Sequence, residues 1–118
     1  MLSSLYARKI ARKLEEKEAT EMFVIVSTYL ARTGEEDAIV ALHEGWQRTL
    51  QPKATGYISG ELLRNVSNAR EFVAIMRFER QEFFQDLADT PEQQVWTQRL
   101  ENLVEIAPVH RECLSEWP

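Results

Sequence analysis

Two histidines, His43 and His110, a lone Cys113 and the carboxylate Glu92 are the side chains of this 118-residue chain best placed by type to do chemistry. The histidines stand far apart and the cysteine is single, so no metal-ligand spacing exists. No Gly-rich phosphate loop is present, so no nucleotide cofactor is implied. Glu92 follows Thr90-Pro91 at the start of a helix, where the dipole favours an acid in any case. If buried, its carboxyl would titrate higher and serve as a general base. His43 lies at the edge of an apolar helical stripe, as a boundary residue or as a base. His110, beside Arg111 and Glu112, is equally open to either reading. Nothing in the sequence joins Ser27 to either histidine as a nucleophile–base pair. Arg77 interrupts an apolar strand and needs a partner if buried, an anionic ligand or a structural ion pair. Trp46, Trp96 and Tyr29 are walls for a flat aromatic ligand, or plain core.

The elements that must position these residues are legible in outline. Residues 1–21 read as a helical arm, with Leu2, Leu5, Tyr6, Ile10 and Leu14 on one side over about 2–18. The rest, 22–118, reads as one domain. Met22–Ala31 is a strand rich in β-branched and aromatic residues. Thr33 to Glu36 reads as a capping box opening a helix over 34–50, with Ala38, Ile39, Leu42, Trp46 and Leu50 as its apolar stripe. Two extended runs, 57–66 and 71–79, flank a turn at 67–70 and form a β-hairpin. A short helix over 81–88 turns Phe83, Phe84 and Leu87 inward. Thr90 then caps a helix running to about Ile106, with Pro91 at its first position and Val95, Trp96, Leu100, Leu103 and Val104 buried. Residues 109–117 alternate as a last strand. The order βαββαβ predicts a ferredoxin-like α+β fold, an antiparallel sheet with an extra N-terminal helix.

Both faces of the central strands are apolar. Phe23, Ile25 and Tyr29 alternate with Met22, Val24, Val26 and Leu30. A solvent-facing side would normally read polar, so a second cover is expected, most simply the same sheet of another subunit in a two-fold homodimer. The net charge of −5 lacks the basic footprint of a nucleic-acid binder. No apolar run reaches the length of a membrane span. A single cysteine fits the cytoplasm.

The stretch GYISGELLRNVSNAREFVAIMRFE followed by LADTPEQQVWTQRL resembles the antibiotic biosynthesis monooxygenase superfamily of dimeric α+β barrels over about residues 22–117. Gly56-Tyr57, Phe78 and Leu87…Thr90-Pro91 carry the resemblance. It implies a cavity between sheet and helices, and a monooxygenase without cofactor acting on a small aromatic or quinol-type molecule. Glu92 would be its base, on the helical side of Arg99 and Leu103, with His43 a second candidate. Arg77 would be an anchor, and Tyr29, Trp46, Trp96 and Ser27 would bind substrate. Many quinol-type members have a histidine where this chain has Glu92. The haem-degrading members' Asn, Trp and His fall on Ser27, Leu87 and Thr97, and none matches. A non-catalytic dimeric ligand-binding or stress-response domain is the alternative reading. Haem binding through His43 or His110 is a third.

Overall fold

The computed structural model of the chain describes residues 22–116, so the N-terminal arm and the last two residues lie outside the described residues. Strand β1 (Phe23–Leu30) leads to helix α1 (Glu36–Thr49) and a 3-10 turn (Gln51–Lys53). The hairpin strands β2 (Tyr57–Asn65) and β3 (Asn68–Phe78) follow, then helix α2 (Gln81–Ala88), helix α3 (Pro91–Leu103) and strand β4 (Val109–Leu114). The sheet runs β2-β3-β1-β4 with every pair antiparallel. This is the ferredoxin-like α+β arrangement that the element order predicts. Among the described residues no helix is long and apolar enough to cross a membrane.

Local chemistry moves several boundaries. Thr33 does not cap α1. The Glu35 N–H bonds the Arg32 carbonyl at 2.9 Å across a tight turn, with Gly34 third in it at φ +89°. Glycine's freedom at positive φ makes Thr33-Gly34 a turn and delays the helix to Glu36. The hairpin turns earlier than expected, at Val66-Ser67, because Asn65 and Asn68 each accept a hydrogen bond from the backbone N–H two residues on. Arg70 therefore belongs to β3, where its guanidinium bonds the Ala31 carbonyl and Glu105. Helix α3 ends at Leu103, three residues early, because Val104 bridges to Ala31 and Glu105 donates its N–H to Leu30. Val95, expected inside, is 51% exposed. Thr90 does cap α3, accepting from the Gln93 N–H, with Pro91 in the first turn.

All three helices cover one face of the sheet. Phe23, Ile25, Ser27 and Tyr29 of β1 and Phe72, Ala74, Met76 and Phe78 of β3 point toward them, as cross-strand pairing and a period of two require. The apolar core gathers at the two ends of this face. One cluster holds Tyr29, Ile39, Phe72 and Leu100, and the other Phe23, Trp46, Phe78 and Leu87. Between them the sheet carries small side chains, Ser27 paired with Ala74 and Gly60 in the neighbouring strand.

A bulge between Tyr57 and Ser59 adds one residue to β2. Residues on either side of it therefore face the same way, and both Tyr57 and Gly60 look toward the helices. Just before the bulge, Gly56 has φ +75°, and a Cβ there would strike the Phe83 ring. Replacing Gly56→Ala is expected to cost about 2–4 kcal/mol, the sum of left-handed strain and overpacking. A urea titration would show it as a lower midpoint with little change in slope.

Candidate functional site

Small sheet residues facing helices held apart by large ones leave a cavity of about 750 Å³ between sheet and helices. Ile25, Ser27, Tyr29, Ala74 and Met76 form its floor, and His43, Trp46, Gln93 and Trp96 its roof. The two indoles are fixed by their N–H groups. Trp46 Nε1 donates to Gln93 Oε1 at 2.8 Å, tying α1 to α3, and Trp96 Nε1 donates to the Leu42 carbonyl at 3.0 Å. Trp96 meets the His43 ring edge to face at 5.0 Å, and Trp46 lies 5.2 Å from Tyr57. Such a box of oriented rings suits a flat apolar ligand.

His43 is the polar centre of the roof. Its Nδ1 lies 2.9 Å from the Ile39 carbonyl, which can only accept, so Nδ1 carries the hydrogen. Nε2 is then the acceptor, in a long 3.4 Å contact with the Tyr29 hydroxyl. Burial pushes the His43 pKa below its usual 6.5, the Ile39 contact opposing it, so the ring is neutral at pH 7. Burial also pushes the Tyr29 hydroxyl pKa up, and Ser27 opposes that shift as a hydrogen-bonding neighbour. Tyr29 therefore stays a phenol. Ser27, itself buried, lies 2.6 Å from His110 Nδ1, because the two residues are direct partners across β1 and β4. One wall of the cavity thus carries His43, Tyr29, Ser27 and His110 in sequence.

Six of the residues singled out from sequence therefore line the cavity: Ser27, Tyr29, His43, Trp46, Trp96 and His110. Arg77, Glu92 and Cys113 do not. Arg77 lies between Met76 and Phe78, which face the helices, so it points to the opposite face. There its guanidinium bonds Ser59 at 3.3 Å and approaches Glu61 at 4.0 Å. Glu92 is exposed and borders a shallow depression with Lys53 and Arg99, on the side of α3 turned away from the cavity. Position thus removes Arg77 as an anchor and Glu92 as a base for a ligand in this cavity. Ser27 and His110, which the sequence left unconnected, are brought together.

Sequence reasoning missed Tyr57 and Gln93. Tyr57 enters through the bulge, its hydroxyl lying over Gly60, where a Cβ would come within 2.5 Å of it. Burial raises its pKa, with the charge of Arg77 acting against this. Gln93 reads as the third residue of a capping box, yet its side chain is turned to Trp46. The signal available was the polar face of α3, where Gln94, Thr97, Gln98 and Glu101 recur at helical spacing and all line the cavity. Among the described residues no group of three or more His, Cys, Asp or Glu side chains converges as a metal site.

No protein-family model matches the sequence, and no curated protein matches it either. Solved structures do match. SnoaB, a cofactor-independent oxygenase from Streptomyces nogalater solved as a single-residue variant, superposes with a TM-score of 0.75 at 14% identity, over 83% of this chain and 96% of that one. The fold is that of the antibiotic biosynthesis monooxygenases. Provisionally assigned members from Nitrosomonas europaea and Caulobacter crescentus each give a TM-score of 0.75 at 11% identity. They cover 84% and 87% of this chain and 94% and 97% of theirs. At such identities the likeness is one of fold alone, and the site must be argued from this chain's own residues.

The neutral state of His43 has a thermodynamic signature. Because its folded pKa lies below the unfolded value, the unfolded chain binds the extra proton, and stability falls as pH drops below about 6.5. The stability of the wild type relative to His43→Gln is expected to rise from about pH 5 to pH 7 and then level off. Urea titrations of both proteins across that range would measure it.

Proposed function

We propose that the chain is a monooxygenase that needs no cofactor and oxidises a small, electron-rich aromatic or quinol-type molecule held in the cavity. The observation that carries this reading is a neutral imidazole whose acceptor Nε2 is presented inside an aromatic-walled cavity. The ligand lies flat between the sheet floor and the indole roof, with its acidic O–H or C–H at His43 Nε2. The long Tyr29 contact is readily exchanged for it. His43 takes the proton, leaving a phenolate or enolate rich enough in electrons to reduce dioxygen. The stoichiometry closes without another reductant. A CH2 group and O2 become C=O and H2O, one oxygen atom entering the product and the other the water, with all four electrons drawn from the substrate. Once product leaves and the Tyr29 hydroxyl returns to Nε2, Tyr29, Ser27 and the exposed His110 lead from the base toward solvent and offer the proton a way out. The aromatic walls limit water, which would otherwise quench the anion.

Oxygen uptake with a panel of anthrones and naphthohydroquinones tests this directly. His43→Gln is expected to lower kcat/KM by about 10²-fold or more, while Glu92→Gln leaves it unchanged. Equal rates in wild type and His43→Gln would sink the reading. If the panel binds without oxygen consumption, the protein is a ligand-binding domain that keeps the fold without the chemistry. A Soret shift on haem titration would instead point to a haem protein.

The same proposal includes a homodimer. The sheet face opposite the helices presents Val24, Val26, Leu30, Val73, Ile75 and Val109 together with the charged Arg77, Arg111, Glu61 and Glu71, more apolar than a solvated face would be. A second copy related by two-fold symmetry covers it most simply. Light scattering at micromolar concentration is expected to give twice the chain mass for wild type and the monomer mass for Val26→Lys. A monomeric wild type would remove the dimer.

A further inference from the structure

The charge inventory of the cavity narrows what it accepts. Among the described residues no lysine or arginine lines it, whereas Glu101 and Glu112 do; the Glu61 carboxylate is turned to Arg77 on the opposite face. The remaining polar lining is carboxamides, hydroxyls and two imidazoles, His43 with its pKa lowered by burial and His110 paired with Ser27. Arginines on the adjoining strands are engaged elsewhere. Arg64 stacks over Phe72 at 4.7 Å, and Arg70 pairs with Glu105 at 2.7 Å. Arg77 is spent on the opposite face of the sheet.

An anion entering such a space loses its hydration and finds no cation to replace it. It must also pass Glu101 on α3 and Glu112 on β4, both exposed at the rim, whose fields the low-dielectric walls focus toward the opening at low salt. An ammonium group meets the opposite balance. A neutral phenol or quinone finds carboxamide donors and acceptors in Gln93, Gln94 and Gln98. We propose that the cavity selects aromatic ligands that are uncharged or carry an ammonium substituent, and turns away those bearing a carboxylate or phosphate, with Glu101 and Glu112 as the selecting residues. This deepens the reading of the cavity as an aromatic-substrate site and rests on it.

Equilibrium dialysis at about pH 8 with 2-naphthol, 2-naphthylmethylamine and 2-naphthoate separates charge from ring shape. The naphthoate is expected to bind at least about 10-fold more weakly than the other two, and the gap to shrink as salt is raised. In the Glu101→Gln/Glu112→Gln variant the gap should close by several-fold, with circular dichroism confirming an unchanged fold. Naphthoate binding as tightly as naphthol, a ratio unmoved by the double substitution, or no binding of any of the three would each overturn the proposal. Because dialysis reads binding alone, a protein that ranks the three ligands as expected but consumes no oxygen keeps this inference and loses the oxygenase.

Discussion

Strand β1 is hydrogen-bonded on both sides, and its register decides what the cavity contains. Pairing with β3 sets Ser27 opposite Ala74 and Tyr29 opposite Phe72, while pairing with β4 sets Ser27 opposite His110. A slip of one residue would turn Ser27 and Tyr29 to the far face and bring Val26 and Thr28 to the helices. The polar wall from His43 to His110 would then be gone. Phe23 and Ile25 are buried on the helix side, so the slip would also expose core, and the apolar pattern that folds the domain fixes its polar site.

The helices add a second constraint, because a roof of large aromatic side chains is useful only if it does not collapse. Both indole N–H groups have partners, and among the described residues no buried side-chain nitrogen or oxygen lacks one. Rotating Trp46 into the cavity would break its bond to Gln93 and strand a buried donor, at a cost of about 1–3 kcal/mol. Moving Trp96 would forfeit the bond to Leu42 and the edge contact with His43. The hydrogen bonds thus hold the rings at the wall.

Much of the fold was legible because it follows from periodicity. The density of β-branched and aromatic residues in β1 and β3 predicts the sheet, and Thr90-Pro91 predicts the start of α3. The candidate site was legible only where a residue's side of its element was. Tyr29, Trp46 and Trp96 sit in unbroken periodic runs, and they line the cavity. Arg77 was misjudged because both faces of β3 are apolar, so composition alone does not say which is roofed by helices. Glu92 failed for a related reason, since α3 has two polar sides, one on the cavity and one turned away from it, and only the packing of Trp96 and Leu100 tells them apart. Tyr57 depends on a bulge, and a bulge has no periodic signature. Ser27 and His110 meet through a pairing between the first and last strands, a distance in sequence that no local pattern spans.

The β2–β3 hairpin supplies little of the polar chemistry, and the reason lies in side-chain size. Where Phe72 and Phe78 stand on β3 the helices rest on the sheet. Where Ala74 stands between them they cannot, and Ser27 and Gly60 on the neighbouring strands extend the gap. The cavity is therefore a consequence of which residues are small as much as of which are reactive. Reactive groups enter it from β1, β4 and α1, which the hairpin only supports. One sheet can thus keep the same architecture across sequences only 11–14% identical while the groups around the space change independently. In this chain those groups are a neutral histidine, a buried phenol and a rim of carboxylates.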